Sequence, residues 1–164
     1  MGVFDELLQT EVPLLAIQFF QVFSRFECAM KRSGKYAKGD EQWVNPRWPL
    51  FADDLGADFF DEVVNSGHAE TLIARPPNTQ AILADGTLGW KVNPPVKNTR
   101  ELIDAVRKVR DNLLHGGKYR DDGYGKPAMV EGSERDETLL RESLNVLAMA
   151  LERNRLVHEH FGRI

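Results

Sequence analysis

The pattern of apolar positions predicts a chain built mainly from helices. The clearest pattern lies in residues 98–115, where apolar side chains recur at spacings of four, three and four and so share one helical stripe: Leu102, Val106, Val109 and Leu113. Asn98 followed by Glu101 is typical of a helix start. Gly116 and Gly117 can adopt the positive φ that ends a helix. We therefore predict a helix from Asn98 to His115.

Two further long helices are predicted, one towards each end of the chain. Pro13 is tolerated in a first helical turn, and residues 14–30 contain no helix breaker. Their apolar side chains cover most of the helix circumference, which is typical of a helix that is central in a bundle or shared with an interface. Ser133 with Asp136 is a capping signature for the last helix, which carries one apolar line: Leu140, Leu144, Leu147 and Leu151.

The segments after the first helix have weaker patterns. Residues 34–48 are polar and aromatic, and we predict a loop. A second helix is predicted to open at Pro49 or a neighbour, to run through Val63 and to end near Gly67, although Gly56 weakens this prediction. A short third helix is predicted over residues 69–74, because two prolines follow it.

The region before the helix of residues 98–115 is predicted to be extended. Residues 78–95 have a strand-like composition, and Asp85 and Gly86 suit a hairpin turn. Residues 116–132, which are rich in glycine and charge, are predicted to be a loop. The predicted architecture is a single all-α domain over residues 1–164, a bundle of four to five helices with a short extended or hairpin insertion.

Composition limits the class of protein. The chain has 164 residues, 42% hydrophobic and 28% charged, as expected for one soluble globular domain. Its net charge of −4 means that any RNA-binding surface must be local. The single cysteine, Cys28, excludes an internal disulfide. Neither a signal-peptide pattern nor a membrane-length apolar run is present, so we expect a cytoplasmic protein with no membrane partner.

An arginine and a histidine lie five positions apart at the end of the predicted helix 98–115. The run from Arg110 to His115, RDNLLH, resembles the R-x4-6-H motif of the HEPN superfamily. The flanking residues 106–109 and Gly116-Gly117 also resemble the catalytic helix of that family, as do the upstream residues 25–32, Pro76-Pro77 with Gln80, and residues 85–90. The resemblance covers most of the chain and is most specific from Arg110 to Gly117. It implies an HEPN-like helical bundle.

The resemblance also implies an activity, metal-independent endoribonuclease cleavage, with Arg110 and His115 as the catalytic pair. RNA supplies its own nucleophile, the 2′-hydroxyl beside each phosphate, and cleavage would leave a 2′,3′-cyclic phosphate. Histidine exchanges protons near neutral pH, and arginine binds phosphate oxygens through a planar fork. This chemistry requires neither a metal nor a cofactor.

The remaining site residues surround this pair in the sequence. Asp111 and Asn112 are expected to be supporting residues, and four residues are expected to contact RNA: Arg107, Lys118, Tyr119 and Arg120. One Arg–His pair is a sparse site, so the resemblance implies a homodimer that brings two pairs into one cleft. Ile103 and Leu114, which fall outside the core stripe, are expected to be exposed and to form an apolar contact in that dimer.

Two functions from different classes remain open. The first is a dimeric ribonuclease acting on tRNA or mRNA in phage defence, in a toxin–antitoxin pair or in a stress response, with an antitoxin or defence-system partner. The second is a non-catalytic HEPN module that binds nucleotides or serves in assembly. An arginine and a histidine near a helix C-terminus can also simply satisfy the last carbonyls and the helix dipole.

Overall fold

The computed structural model describes residues 12–114 and 134–163, which form seven helices and two β-hairpins. In chain order the elements are α1 (Leu14–Arg32), β1 (Ala37–Gly39), β2 (Val44–Pro46), α2 (Trp48–Leu55), α3 (Asp58–Ser66), α4 (Glu70–Ala74), β3 (Thr79–Ile82), β4 (Leu88–Lys91), α5 (Thr99–Leu114), α6 (Glu134–Arg153) and α7 (Arg155–Phe161). The predicted helical character is confirmed, but the two hairpins mean that the fold is not purely all-α. None of the described helices has the length and apolar character that crossing a membrane requires.

Aromatic side chains of α1 and α2 form the centre of the core. The Phe26 ring stacks on Trp48 at 5.6 Å and meets the edge of Phe51 at 5.4 Å. Phe23 lies 5.3 Å from the same indole. Trp48 is only 2% exposed, so its burial contributes several times the ~0.8 kcal/mol of one CH₂ group. The core therefore places α1 and α2 directly behind the C-terminal half of α5, where Arg110 also contacts Phe23.

Helix α5 begins and packs as its sequence pattern predicts. The Asn98 side-chain oxygen accepts a hydrogen bond from the Glu101 N–H at 2.9 Å, and the Glu101 carboxylate accepts one from the Lys97 N–H at 2.8 Å. Three members of the apolar stripe are buried and the fourth is half-buried against the core. The predicted end after His115 lies outside the described residues.

Two predictions for the segment after α1 are wrong. Residues 37–46 of the predicted loop 34–48 form the β1–β2 hairpin, and strands of three residues are too short for an alternating pattern to be recognisable. The predicted second helix is divided into α2 and α3 at Gly56, which has a φ of 85°. Its carbonyl accepts a hydrogen bond from the Thr99 hydroxyl at 2.7 Å, so a contact from α5 stabilises the break.

The short helix α4 confirms the predicted third helix and has an unusual start. Its preceding residue, Ala69, provides no side-chain cap. Instead the Glu142 carboxylate of α6 accepts hydrogen bonds from the backbone N–H groups of Thr71 at 3.1 Å and Leu72 at 2.5 Å. Helix α6 therefore satisfies the N–H groups that begin α4.

The C-terminal helices are joined to the first hairpin region by a chain of polar contacts. The predicted last helix is confirmed as α6, and α7 follows it after Asn154. The Asn154 side chain accepts a hydrogen bond from the Val157 N–H at 3.1 Å and donates one to the Tyr36 hydroxyl at 2.8 Å. That hydroxyl donates to Asp54 at 2.8 Å, and burial raises the pKa of Tyr36.

The predicted hairpin before α5 is confirmed as β3 and β4. The strands pair antiparallel from Thr79 opposite Lys91 to Ile82 opposite Leu88. At the turn, the Asp85 carboxylate accepts hydrogen bonds from the N–H and the hydroxyl of Thr87. This hairpin leads directly into the segment that precedes α5.

Candidate functional site

Arg110 lies on the last described turns of α5, and its guanidinium packs against α1. Its Nη2 is 3.5 Å from Glu27 Oε1, and its Cζ lies 5.1 Å from the centre of the Phe23 ring. Its Nε is 3.3 Å from Asp111 Oδ1. The side chain is 24% exposed. The guanidinium is therefore held on one side by a carboxylate and a ring, while part of it remains open to solvent.

Glu27 connects three helices through one carboxylate. Its Oε1 accepts a hydrogen bond from Trp48 Nε1 at 2.9 Å and also contacts Arg110. Its side chain is 21% exposed. Glu27 lies within the residues that resemble HEPN proteins, yet sequence reasoning assigned it no role. The available signal was that it is the only acidic residue in the otherwise apolar and basic helix α1.

The guanidinium of Arg110 retains unused hydrogen-bonding capacity. Among the described residues its buried Nε has no hydrogen-bond partner of good geometry, because the nearby Asp111 oxygen is close but poorly aligned. Guanidinium has five N–H donors, and one recorded hydrogen bond, the long contact to Glu27, uses only one of them. The described residues thus leave part of the exposed guanidinium free for an anionic ligand.

The two predicted supporting residues have different surroundings. Asp111 is 42% exposed and lies beside Arg110. Asn112 is only 7% exposed, and its side-chain nitrogen donates a hydrogen bond to the Asn78 carbonyl at 2.9 Å. The structure thus brings Asp111 to Arg110, whereas Asn112 anchors the segment that enters β3.

The predicted RNA-contacting residues are only partly described. Arg107, one turn before Arg110, pairs with Asp104 at 2.8 Å. The other predicted residues of the site lie outside the described residues: His115, Lys118, Tyr119 and Arg120. Within the described part of the chain, the predicted catalytic pair is therefore represented by Arg110 alone.

One of the two residues expected to form a dimer contact is buried. Ile103 is 1% exposed, so the expectation that it lies on the surface is wrong. The reason is that α5 packs against five other helices, which bury more of its circumference than the single stripe that the periodicity identifies. Leu114 is 47% exposed, as expected.

A separate cleft of about 310 Å³ lies along a different face of α5. Its floor is apolar, formed by prolines and by Val96 and Ala105, and its rim carries Glu101, Asp104 and Lys108. Arg110 does not line it. The sequence pattern gave no indication of this cleft, because its walls come from three separate segments, residues 76–79, 93–96 and 101–108.

Comparison with known proteins gives no relative: no family model, no curated protein and no solved structure matches the chain. The run from Arg110 to His115 and the surroundings of Arg110 are therefore the features that bear on function.

Proposed function

We propose that the protein is an HEPN-type endoribonuclease that acts as a cytoplasmic homodimer and cleaves RNA without a metal, with Arg110 and His115 as its catalytic pair. The observation that carries this proposal is the environment of Arg110. Its guanidinium is positioned by Glu27 and Phe23 from α1, remains 24% exposed and donates only one hydrogen bond to the described residues. Its place in the sequence, five residues before His115, matches the spacing of the motif.

A positioned guanidinium suits the charge that develops during RNA cleavage. The phosphate gains negative charge as the 2′-oxygen attacks it, and a cation that is already in place stabilises that charge without reorganisation. Arg110 is held by an ion pair and a ring contact, so less conformational freedom is lost when phosphate binds. Asp111, beside it, helps to orient the same guanidinium.

The proton transfers are assigned to histidine. One His115 removes the proton from the 2′-hydroxyl, and the bond between the 2′-oxygen and phosphorus forms. The bond between phosphorus and the 5′-oxygen breaks, and the partner subunit's His115 protonates the leaving oxygen. The products are a 2′,3′-cyclic phosphate and a 5′-hydroxyl end. Two histidines in opposite protonation states explain why the active form is a dimer.

The test is cleavage of tRNA and total RNA by the purified protein in the presence of EDTA. We expect cleavage by the wild type, a loss of at least a hundredfold in Arg110→Ala and His115→Ala, and partial activity in Arg110→Lys. Arg155→Ala and His158→Ala are matched controls, since both residues are exposed on α7. Cleavage that persists in His115→Ala would contradict the proposal, as would products with 3′-hydroxyl ends.

A second candidate, a non-catalytic nucleotide-binding or assembly module, is favoured by the same ion pair. Arg110 is engaged by two carboxylates, which is also what an internal structural arginine requires. In this case RNA stays intact and a nucleotide raises the melting temperature. A role in phage defence or as a toxin predicts growth arrest on expression, relieved by His115→Ala.

A further inference from the structure

The outer edge of β4 has no strand partner among the described residues. At its turn the Leu83 N–H donates to the Thr87 carbonyl at 2.8 Å, and the Gly86 N–H donates to the Leu83 carbonyl at 2.9 Å. Bonded and non-bonded pairs alternate along an antiparallel ladder. Leu88 and Trp90 are therefore in non-bonded positions, and their N–H and C=O groups point away from β3. In the described part of the chain β4 pairs with β3 alone.

The same hairpin exposes an apolar face. Alternation places Leu88 and Trp90 of β4, and Val92 after it, on one side of the sheet, with Ile82 of β3 opposite Leu88. Four side chains of this face are 43–77% exposed: Ile82, Leu88, Trp90 and Val92. Proteins usually protect free edges with charges or prolines. This edge has neither between Leu88 and Trp90, and its one charge, Lys91, lies at the end of the strand, so the edge is a candidate for strand pairing with another chain.

The hairpin is held in place by hydrogen bonds at its base. The Asn93 side-chain nitrogen donates to the Pro77 carbonyl at 2.7 Å and to the Thr79 hydroxyl at 2.9 Å. The Asn112 bond to Asn78 attaches the same base to α5. Because β3 is the strand that contacts α5, the edge of β4 faces outward on a fixed support.

We propose that two copies of the chain pair antiparallel along β4, with the two-fold axis at Gly89, to form a four-stranded sheet. In this register Leu88 of one copy lies opposite Trp90 of the partner subunit, and Trp90 of the first copy lies opposite Leu88 of the partner subunit. Both residues have outward N–H and C=O groups, so the pairing makes about four backbone hydrogen bonds. The two apolar faces become continuous, and Leu88–Trp90 contacts form across the new strand pair.

Charge complementarity favours a second copy over an unrelated strand. The register places Lys91 opposite Thr87 of the partner subunit, next to the partner's Asp85. Asp85 accepts two hydrogen bonds from its own Thr87, which lower its pKa and fix its position. Lys91 has no ion pair among the described residues. Two-fold symmetry forms the Lys91–Asp85 contact twice, as a self-complementary interface requires.

This pairing goes beyond the proposed function and does not depend on it, since a four-stranded sheet forms whether or not RNA is cleaved. The buried area of one strand pair is small, so we expect a weak, concentration-dependent association rather than an obligate dimer.

Cysteine cross-linking tests the register. In a Cys28→Ser background, chains carrying Thr87→Cys are mixed with chains carrying Lys91→Cys and oxidised. These positions form a non-bonded pair with Cα atoms about 4.5 Å apart, which is suitable for a disulfide. Like positions are offset by about 13 Å, so each variant alone is the matched control. We expect at least tenfold more disulfide-linked dimer in the mixture than in either variant alone.

Sedimentation of the wild type without RNA provides the second measurement. The mass should rise from 18.6 kDa towards twice that value with concentration. Leu88→Pro should weaken the association at least tenfold while the circular dichroism spectrum is kept, because the deleted N–H faces outward. A wild type that stays monomeric at every concentration overturns the proposal. Equal cross-linking of the mixture and the single variants, or a dimer that never cross-links in the mixture, also overturns it.

Discussion

Replacing Glu27 is expected to have two effects that two substitutions can separate. The carboxylate accepts the hydrogen bond of the Trp48 indole and also contacts the Arg110 guanidinium. Glu27→Ala removes both interactions. Glu27→Gln keeps an oxygen that can accept from Trp48 and removes only the charge. The difference between the two variants therefore measures the indole hydrogen bond.

The magnitudes follow from burial. Trp48 is 2% exposed, so an indole N–H without an acceptor costs about 1–3 kcal/mol. The ion pair with Arg110 is long and its partners are about a fifth to a quarter exposed, so it contributes ~0.5–1 kcal/mol. Glu27→Ala should thus lower the free energy of unfolding by about 2–4 kcal/mol, and Glu27→Gln should lower it by less than ~1 kcal/mol. For a domain of this size, 1 kcal/mol lowers the melting temperature by roughly 2–4 °C.

Thermal unfolding followed by circular dichroism and by Trp fluorescence measures both variants. We expect a decrease of about 4–16 °C for Glu27→Ala and of less than about 4 °C for Glu27→Gln. Glu152→Ala is the matched control, because Glu152 is an exposed helical carboxylate in α6. If Glu27→Gln is as unstable as Glu27→Ala, the charge rather than the indole hydrogen bond dominates, and the reasoning is refuted.

Three further predictions concern polar contacts between elements. Asn112→Ala should lower the free energy of unfolding by about 1–3 kcal/mol. The backbone amides of residues 78–93 should exchange hydrogen faster, and unchanged exchange contradicts the anchoring role. Glu142→Ala should lower the free energy of unfolding by a similar amount and expose the first amides of α4 to hydrogen exchange. Glu142→Gln should have an intermediate effect on both measurements. Hydrogen bonds from Lys35 and Tyr36 lower the pKa of Asp54 below 3.8. These hydrogen bonds contribute to folding stability above the pKa that Asp54 has in the unfolded chain, and the contribution is lost as pH falls through the pKa of Asp54 in the folded protein. Asp54→Asn should flatten the decline of melting temperature below pH 5, and parallel curves would contradict this.

The long helices were predictable because their periodicity extends over several turns. The stripe from Leu102 to Leu113 and the capping pair at Asn98 located α5, and Asp85-Gly86 located the hairpin turn. The division at Gly56 was less predictable, because the Thr99 hydroxyl that stabilises it comes from another helix. The β1–β2 hairpin was missed for a different reason, since strands of three residues carry almost no pattern.

The candidate site was predictable only to the extent that it is local in sequence. The motif identified Arg110, and adjacency identified Asp111. The pairing of Arg110 with Glu27 spans 83 positions, and no local pattern encodes it. The burial of Ile103 likewise depends on how many helices surround α5, which is a property of the assembled fold rather than of one helix.

The start of α4 has a consequence for the order of folding. A helix of five residues is too short to persist in water by itself, and the carboxylate that receives its first amides follows it by about 70 positions in the chain. During synthesis this turn must therefore wait for the C-terminal part of the protein to emerge. A chain released before Glu142 would lack the carboxylate that accepts hydrogen bonds from the first amides of α4. The segment between α4 and β3, which contains Pro76 and Pro77, would then follow a helix that is not stabilised at its start.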